Sequence, residues 1–509
     1  MLNATTLLAC FGRYRLRKLR RLRPAEAQAQ ELLGLVRTAQ DTQFGKDHGF
    51  AKIHTVEEFQ RRVPLRHYED FWNTYWKSGF PHVENVTWPG KTPYFAVTSG
   101  TSKGISKYIP CTHEILRTNR RAALDLLAFH LHNRPNSRLL AGRNFMLGGS
   151  TGLNSLAPDV YSGDLSGIAA ATLPWWARLR YFPPKELEDI SNWREKIELV
   201  APVSLAEDIR SISGTPSWLL LFFDRLAALR PGSERRLVNF WPNLELVVHG
   251  SVNFAPYRRP FADWLKGSHA ETRETYAASE GFLAVADRGD GEGMRLILDN
   301  GLFLEFVPLE ELNETAPTRH WVANVETGVN YAVVLSSCAG VWAYVLGDTV
   351  RFVDLDPHRL LVTGRVTDAL SAFGEHLIDE EIEESVARAA EAIDAMVTDY
   401  SVGAVFPTAR GGRSGHFFLV EFAEKIRDPE RIATFARTLD AALCETNEDY
   451  AAYRSEDFGM IAPRVHPVAP GAFAKWMEAR GQLGGQHKVP RIINDETLFK
   501  NLRDFMGCK

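Results

Sequence analysis

No stretch of this sequence stays apolar over the roughly 20 residues that a membrane-spanning helix needs. Neither sign of charge is in large excess. Lys+Arg 59 against Asp+Glu 63 leaves −4, so the whole-chain balance does not point to nucleic acid as a partner. Cysteine is scarce: Cys10, Cys111, Cys338, Cys444 and Cys508 are odd in number and widely spaced. That pattern fits neither a zinc site nor a disulfide framework, and it suits a reducing, cytoplasmic compartment. There is no internal repeat and no low-complexity segment. The apolar stretch Leu7–Phe11 is too short for the core of a secretory leader. Acidic residues are absent before Glu26, whereas Arg13, Arg15, Arg17, Lys18, Arg20, Arg21 and Arg23 crowd the same segment. An organelle transit peptide or a membrane-surface helix can begin this way. The simpler expectation is a solvated helix face or a frayed terminus.

What is present is the composition of a large globular chain, 45% apolar and 24% charged over 509 residues. That length exceeds one ordinary domain. Residues 24–40 read as a helix opened by Pro24, 93–98 as a buried strand entering a glycine turn, and 112–130 and 216–230 as amphipathic helices. From 244 to 365 the texture changes to short apolar runs punctuated by Gly, Asn and Asp, which read as strands. After Arg365 the pattern is helix 379–396, strands 397–406 and 416–422, and helix 428–445. The expectation is an α/β fold with several sheets over residues 1–367, followed by a smaller α+β domain over 368–509. Trp72, Trp76, Trp88, Trp175 and Trp176 are candidates for core, pocket or interface, with the core as the first expectation.

Five motifs carry chemistry. Thr98-Ser-Gly-Thr-Ser-Lys-Gly-Ile-Ser-Lys107 follows a strand and precedes a helix. Glycines let backbone approach an anion, hydroxyls and N–H groups donate to phosphate oxygens, and a lysine neutralises charge. It is not a P-loop, because Gly100 and Gly104 are too close together. In Tyr276-Ala-Ala-Ser-Glu280 the carboxylate could hold Mg²⁺ between phosphates. In Tyr344-Val-Leu-Gly-Asp348 the acid is suited to accept from ribose hydroxyls, as in dinucleotide folds. Gly364-Arg365-Val-Thr-Asp368 follows, and Lys488 stands in the late loop Gly485-Gln-His-Lys-Val-Pro-Arg491, from which a lysine could reach a carboxylate and a phosphate together. Each has a bland rival: a surface turn, a solvated Glu, a β-turn Gly-Asp or a basic tail.

In this order the motifs resemble those of the adenylate-forming superfamily, the relatives of luciferase and acyl-CoA ligases. The wording TSGTSKGISKYIP, with TQFGKDHGF, RRVPLRHYEDF, GTPSWLLLFFDRL, HGSVNFAPY and GQHKVPR, is similar to the auxin-responsive acyl acid–amido synthetase family, in its bacterial-type form. The similarity spans about residues 30–495, with gaps. It implies an ATP- and Mg²⁺-dependent ligase that makes an acyl-adenylate and joins the acyl group to an amine, an amino acid above all. By the family pattern Ser99, Gly100, Thr101 and Ser102 cradle the phosphates with Lys107 nearby. Tyr276, Ser279 and Arg365 line the nucleotide, Glu280 acts in catalysis and holds Mg²⁺, and Asp348 holds the ribose. Asp368 is the hinge of a mobile small domain, and Lys488 bridges substrate carboxylate and α-phosphate. Thr98 stands where plant members often carry Ser. His113, Arg117, Arg120, Arg121, His130 and His132 are candidates for the acyl acid, against an exposed helix face. Tyr450, Tyr453 and Arg454 are candidates for the acceptor side, against core packing. Two other readings stand beside the amide ligase: a ligase that loads coenzyme A or a carrier protein, and a nucleotide or acid sensor without turnover.

Overall fold

The structure, a computed structural model, describes residues 3–98, 107–148, 152–190, 193–250, 254, 257–289, 291–366, 370, 377–405, 415–447, 450–451, 454, 460–482 and 488–508. The chain divides into two compact units, Met1–Val362 and Thr363–Lys509. The expected boundary residue Asp368 lies outside the described residues.

The apolar runs between 244 and 365 are too long to cover one face only, and they fold into strands buried on both. Asn330–Ser337 is buried at every position but its first, and Leu302–Pro308 at every position. They belong to a twelve-stranded mixed sheet. Its order is His320–Trp321, Leu302–Pro308, Asn330–Ser337, Val341–Leu355, His358–Arg365, Met294–Leu296, Gly281–Val285, Glu271–Ala278, Leu246–Gly250, Ile209–Ser213, Arg143–Met146 and Tyr181–Phe182. From Tyr181–Phe182 to Glu271–Ala278 the pairs are parallel. A second sheet has the order Lys107–Cys111, Tyr94–Thr98, Val160–Gly163, Asn154–Ala157.

Helices start where the sequence offers caps. Thr112 accepts from Ile115 N at 3.2 Å to open helix His113–Asn133, and Pro216 occupies the first turn of Pro216–Leu229. Phe44, Phe59, Phe71, Trp76 and Trp342 are buried together in the first unit's core as a group of contacting rings. Each buried Phe contributes about 1.5–3 kcal/mol. Trp76 and Trp88 are buried and Trp72 packs against the same core, as expected. Trp175 and Trp176 are exposed, contrary to expectation, because the four-residue helix that carries them buries none of its residues.

The basic N-terminus is an ordered helix, Thr5–Arg20, and its charges are not all solvated. Arg15 is buried. Its guanidinium donates to Asp125 Oδ1 and Oδ2 at 2.7 Å each, and to Asp299 Oδ2 at 2.7 Å and Oδ1 at 2.6 Å. Burial opposes its charge, but hydrogen bonds to Asp299 and Asp125 outweigh burial and hold its pKa above the usual value.

The second unit contains the expected helix Asp379–Ala392, strands Val397–Val405 and Gly415–Phe422, and helix Pro429–Thr446. It adds a parallel strand, Ile461–Val468, and helices Ala472–Ala479 and Glu496–Phe505, so αββα is only its first half.

His249 is the next-to-last residue of strand Leu246–Gly250 and sits in an awkward setting. Its ring is buried, stacks on Phe254 at 3.6 Å, and has no hydrogen-bond partner at either nitrogen among the described residues. Burial, then the nearby Arg258 charge, pushes its pKa from 6.5 down to about 3. The unfolded chain therefore takes up a proton below pH 6.5 that the native state refuses. Stability should fall as pH drops from 6.5 toward 3, with His249 contributing up to about 1.4 kcal/mol per pH unit. His249→Phe should flatten that slope in urea unfolding at pH 7, 6 and 5. Parallel slopes for the two proteins would remove His249 as the cause.

Candidate active site

Strand Glu271–Ala278 brings its carboxyl end to the site, where ligands bind in open parallel sheets. Glu271–Ala278 is parallel to Leu246–Gly250 and then turns at Ser279-Glu280 into the antiparallel strand Gly281–Val285. The turn is held from below: Ser337 Oγ donates to Glu280 O at 2.8 Å. Ser279 and Glu280 are buried.

Three of the expected residues meet here. Tyr276, buried near the end of its strand, donates its hydroxyl to Asp348 Oδ2 at 2.9 Å. Asp348 stands in strand Val341–Leu355 just after Gly347, whose φ of +89° is a conformation glycine adopts freely. Glu280 feels the charge of Asp348 and of Lys107. Its pKa is raised to about 7, first by burial and then by Asp348, against hydrogen bonds that lower it. Tyr344 hydrogen-bonds to Glu280, and its own pKa is pushed far up by burial and by that carboxylate. Sequence reasoning named the Tyr344 motif but assigned only Asp348 within it. The position four residues earlier in the same strand was the available signal.

Lys107 closes the strand–loop–strand unit whose loop was read as the phosphate cradle. It pairs with Thr98 in antiparallel register, and its Nζ lies 5.5 Å from the Tyr68 ring centroid. Tyr68 OH accepts from Tyr108 N at 2.9 Å. Ser99, Gly100, Thr101 and Ser102 lie outside the described residues, as does Asp368.

Arg365 and Lys488 belong to the second unit. Arg365 ends strand His358–Arg365. Lys488 is exposed, and the backbone just after it is pinned to strand Val397–Val405: Ser401 Oγ donates to Pro490 O at 2.7 Å, and Val402 N to Arg491 O at 2.6 Å.

The candidates on helix His113–Asn133 separate. His130 is buried between Glu271, at 2.7 Å, and Glu245, so it is neither an exposed helix residue nor a substrate contact. Arg121 donates to Asn300 and Asp299, Arg120 to Thr172 O at 2.6 Å, and His132 lies 3.2 Å from Arg20. Their partners are structural. Tyr450 is core, with its hydroxyl donating to Asp440 at 2.8 Å, and Arg454 pairs with the same carboxylate at 2.7 Å. Tyr453 lies outside the described residues.

Among the described residues there is no cluster of three or more His, Cys, Asp or Glu that could hold a metal by itself. The donor set suits Mg²⁺ nonetheless. That ion takes one or two carboxylates and completes its shell with phosphate oxygens and water, and a buried Glu280 whose charged form is disfavoured is relieved by a cation.

Comparison with known proteins agrees with the fold. The chain is 26% identical over 361 residues to the indole-3-acetic acid-amido synthetase GH3.15 of Arabidopsis thaliana, covering 62% of this chain and 58% of that protein. It spans roughly half to two-thirds of the length of the curated relatives it matches. The solved structure of GH3.15 acyl acid amido synthetase superposes with a TM-score of 0.79 at 16% identity, over 99% of this chain and 97% of that one. A 2-hydroxyisobutyryl-CoA ligase in the postadenylation state superposes with a TM-score of 0.64 at 15% identity, over 95% and 92%. The GH3 N-terminal domain matches residues 15–151 and 153–270, the central domain 295–365 and the C-terminal domain 380–497, and the chain therefore belongs to the GH3 family.

Proposed function

We propose that the protein uses ATP to activate a carboxylic acid as an acyl-adenylate and passes the acyl group to an amine, an amino acid in the first instance. The observation that carries this is the buried Glu280 at a sheet turn, facing Tyr344, Asp348 and Lys107, with Asp348 oriented by Tyr276. Membership of a family whose matched relatives are named amido synthetases supports the same reading.

In the first half-reaction a carboxylate oxygen of the acid attacks the α-phosphorus, and the bond to the β-phosphate oxygen breaks to release pyrophosphate. Little covalent work falls to the protein, so positioning and charge neutralisation carry the step. Ser99, Gly100, Thr101 and Ser102 donate to the phosphates, and Lys107 supplies charge at the end of that loop. Asp348, fixed by Tyr276, accepts from the ribose, and Ser279 and Arg365 contact the nucleotide. Glu280 would hold Mg²⁺, which would supply charge neutralisation on the phosphates. Lys488 bridges the acid and the α-phosphate. In the second half-reaction the amine nitrogen attacks the acyl carbon, and AMP leaves as the acyl C–O bond breaks. Asp368 is the pivot on which residues 368–509 turn against 1–367 between the steps. Five cysteines, all free, suit a reducing cytoplasmic setting, and no helix among the described residues is long and apolar enough to cross a membrane.

The test is pyrophosphate release from Mg·ATP across a panel of carboxylic acids, each alone, with mixed amino acids, and with coenzyme A. Release that needs one acid and turns over repeatedly only with an amino acid is expected, and it would identify both substrates. Acceleration by coenzyme A alone would make the protein a thioester ligase. ATP binding without release across a broad panel would reduce it to a sensor.

A further inference from the structure

Two features of the first unit take no part in this chemistry: the basic N-terminal helix and the exposed tryptophan pair. They are neighbours. Thr5 Oγ1, in the first turn of helix Thr5–Arg20, accepts from Leu140 N at 3.0 Å. Leu140 O in turn accepts from Arg180 Nε at 3.0 Å, and Arg180 donates to Trp176 O at 3.3 Å. Leu140 and Arg180 thereby tie the start of the helix to the turn Trp175–Leu179.

Both elements present large apolar side chains to solvent. Trp175 is 76% exposed, Trp176 45% and Leu179 58%, while on the helix Leu7 is 76% and Tyr14 68% exposed. Leu7 comes from a helix whose other face is already buried. Leu8, Leu16 and Leu19 fill the inner side of the helix, so its outer side is left over rather than misfolded. The outer side is also cationic. Arg15 is consumed by Asp125 and Asp299, Lys18 by Asp299 and Arg23 by Glu26. Arg13, Arg17 and Arg21 have no carboxylate partner among the described residues, and the helix itself carries no acid. Arg178 and Arg143 beside the tryptophan turn are already paired with Glu188 and Glu207.

We propose that the first unit docks peripherally on an anionic lipid surface, with Leu7, Tyr14, Trp175, Trp176 and Leu179 entering the headgroup layer and Arg13, Arg17 and Arg21 meeting its charge. Indoles partition to the bilayer interface, and arginines near an anionic leaflet add attraction within a Debye length. The chain as a whole is at −4, so the attraction is a property of this face rather than of the molecule. Nucleic acid would satisfy the arginines. It offers no apolar interior for Leu7 and Leu179, so the lipid surface is the better complement.

The experiment is cosedimentation of the full chain with vesicles of phosphatidylcholine alone and of phosphatidylcholine containing about one-third phosphatidylserine, at low and high salt. The expected result is binding to the anionic vesicles only, weakened by salt. W175S/W176S, and separately R17E/R21E, should each lower the partition coefficient about tenfold or more with thermal unfolding unchanged. These side chains are exposed and lie outside the nucleotide site, so both variants should fold and adenylate as before. No binding at low salt, equal binding to neutral vesicles, or anionic binding that survives both variants would overturn the proposal. So would binding to duplex DNA that matches the vesicle affinity and ignores W175S/W176S, because the face would then be a polyanion site.

Discussion

Arg15→Met is expected to destabilise the first unit by about 3–5 kcal/mol, the loss found when one partner of a buried ion pair is removed. The size follows from what remains. Asp125 and Asp299 are both buried, and each loses two hydrogen bonds from one guanidinium. Lys18, at 2.9 Å from Asp299, can still serve one of them, but nothing replaces the contact to Asp125. The loss is that of a stranded Asp125 and a half-served Asp299 rather than the net contribution of the network, since the desolvation of three charges offsets much of their attraction. The two quantities can be separated. R15M/D125L/D299L, with apolar groups in place of all three, should recover most of the stability lost in R15M. Urea unfolding of the full chain at pH 7 reads both variants, with Arg17→Met as the exposed control expected to change by less than about 0.5 kcal/mol. An R15M loss no larger than the control would mean that the helix is not anchored through Arg15. A triple variant as unstable as R15M would mean that the cost is packing, not charge.

This network also shows where the sequence stops being informative. Arg15 and Asp299 are 284 positions apart, and nothing in a basic run distinguishes the one arginine that faces inward from its neighbours. The strands between 244 and 365 were legible because their burial on both faces demands apolar runs, and those runs end at Gly, Asn and Asp. Arg143–Met146 and Tyr181–Phe182 were not: two to four residues carry too little periodicity, and their pairing is set by parallel neighbours far along the chain. The same holds within the site. Tyr276 and Glu280 announce themselves by a turn at a strand end, and Asp348 by the glycine before it, although Asp348 lies inside its strand. That Tyr344 hydrogen-bonds to Glu280 depends on the turn Ser279-Glu280 approaching a strand that is not its neighbour in the sheet order. The exposed pair Trp175–Trp176 misled for a different reason. Composition says that indoles are mostly buried, and only the local turn, which covers none of its own residues, decides otherwise.

Lys488→Ala should lower acid-dependent pyrophosphate release about 10²–10³-fold in kcat/KM, the range seen when a single preorganised donor to a developing charge is removed. The side chain is exposed, and the backbone beyond it is held independently: Pro490 O by Ser401, Arg491 O by Val402 N, and Ile493 N by Val402 O at 2.9 Å, with Arg491 paired to Glu383. Truncation at Cβ leaves those backbone bonds in place, and thermal unfolding measured beside activity separates a loss of function from a loss of fold. The assignment is specific to one half-reaction. A lysine that bridges the acid carboxylate and the α-phosphate acts while the P–O bond forms, and has no such task when the amine attacks the acyl carbon. Given preformed acyl-adenylate, K488A should therefore transfer the acyl group to the amino acid within a few-fold of the unaltered protein. Lys488→Arg keeps the charge but not the compact ammonium, and should recover only part of the first step. Adenylation that survives K488A would end the bridging role. Equal losses in both half-reactions, at unchanged stability, would make Lys488 a general contributor to nucleotide binding, and the search for the adenylation cation would move to Lys107 in the first unit.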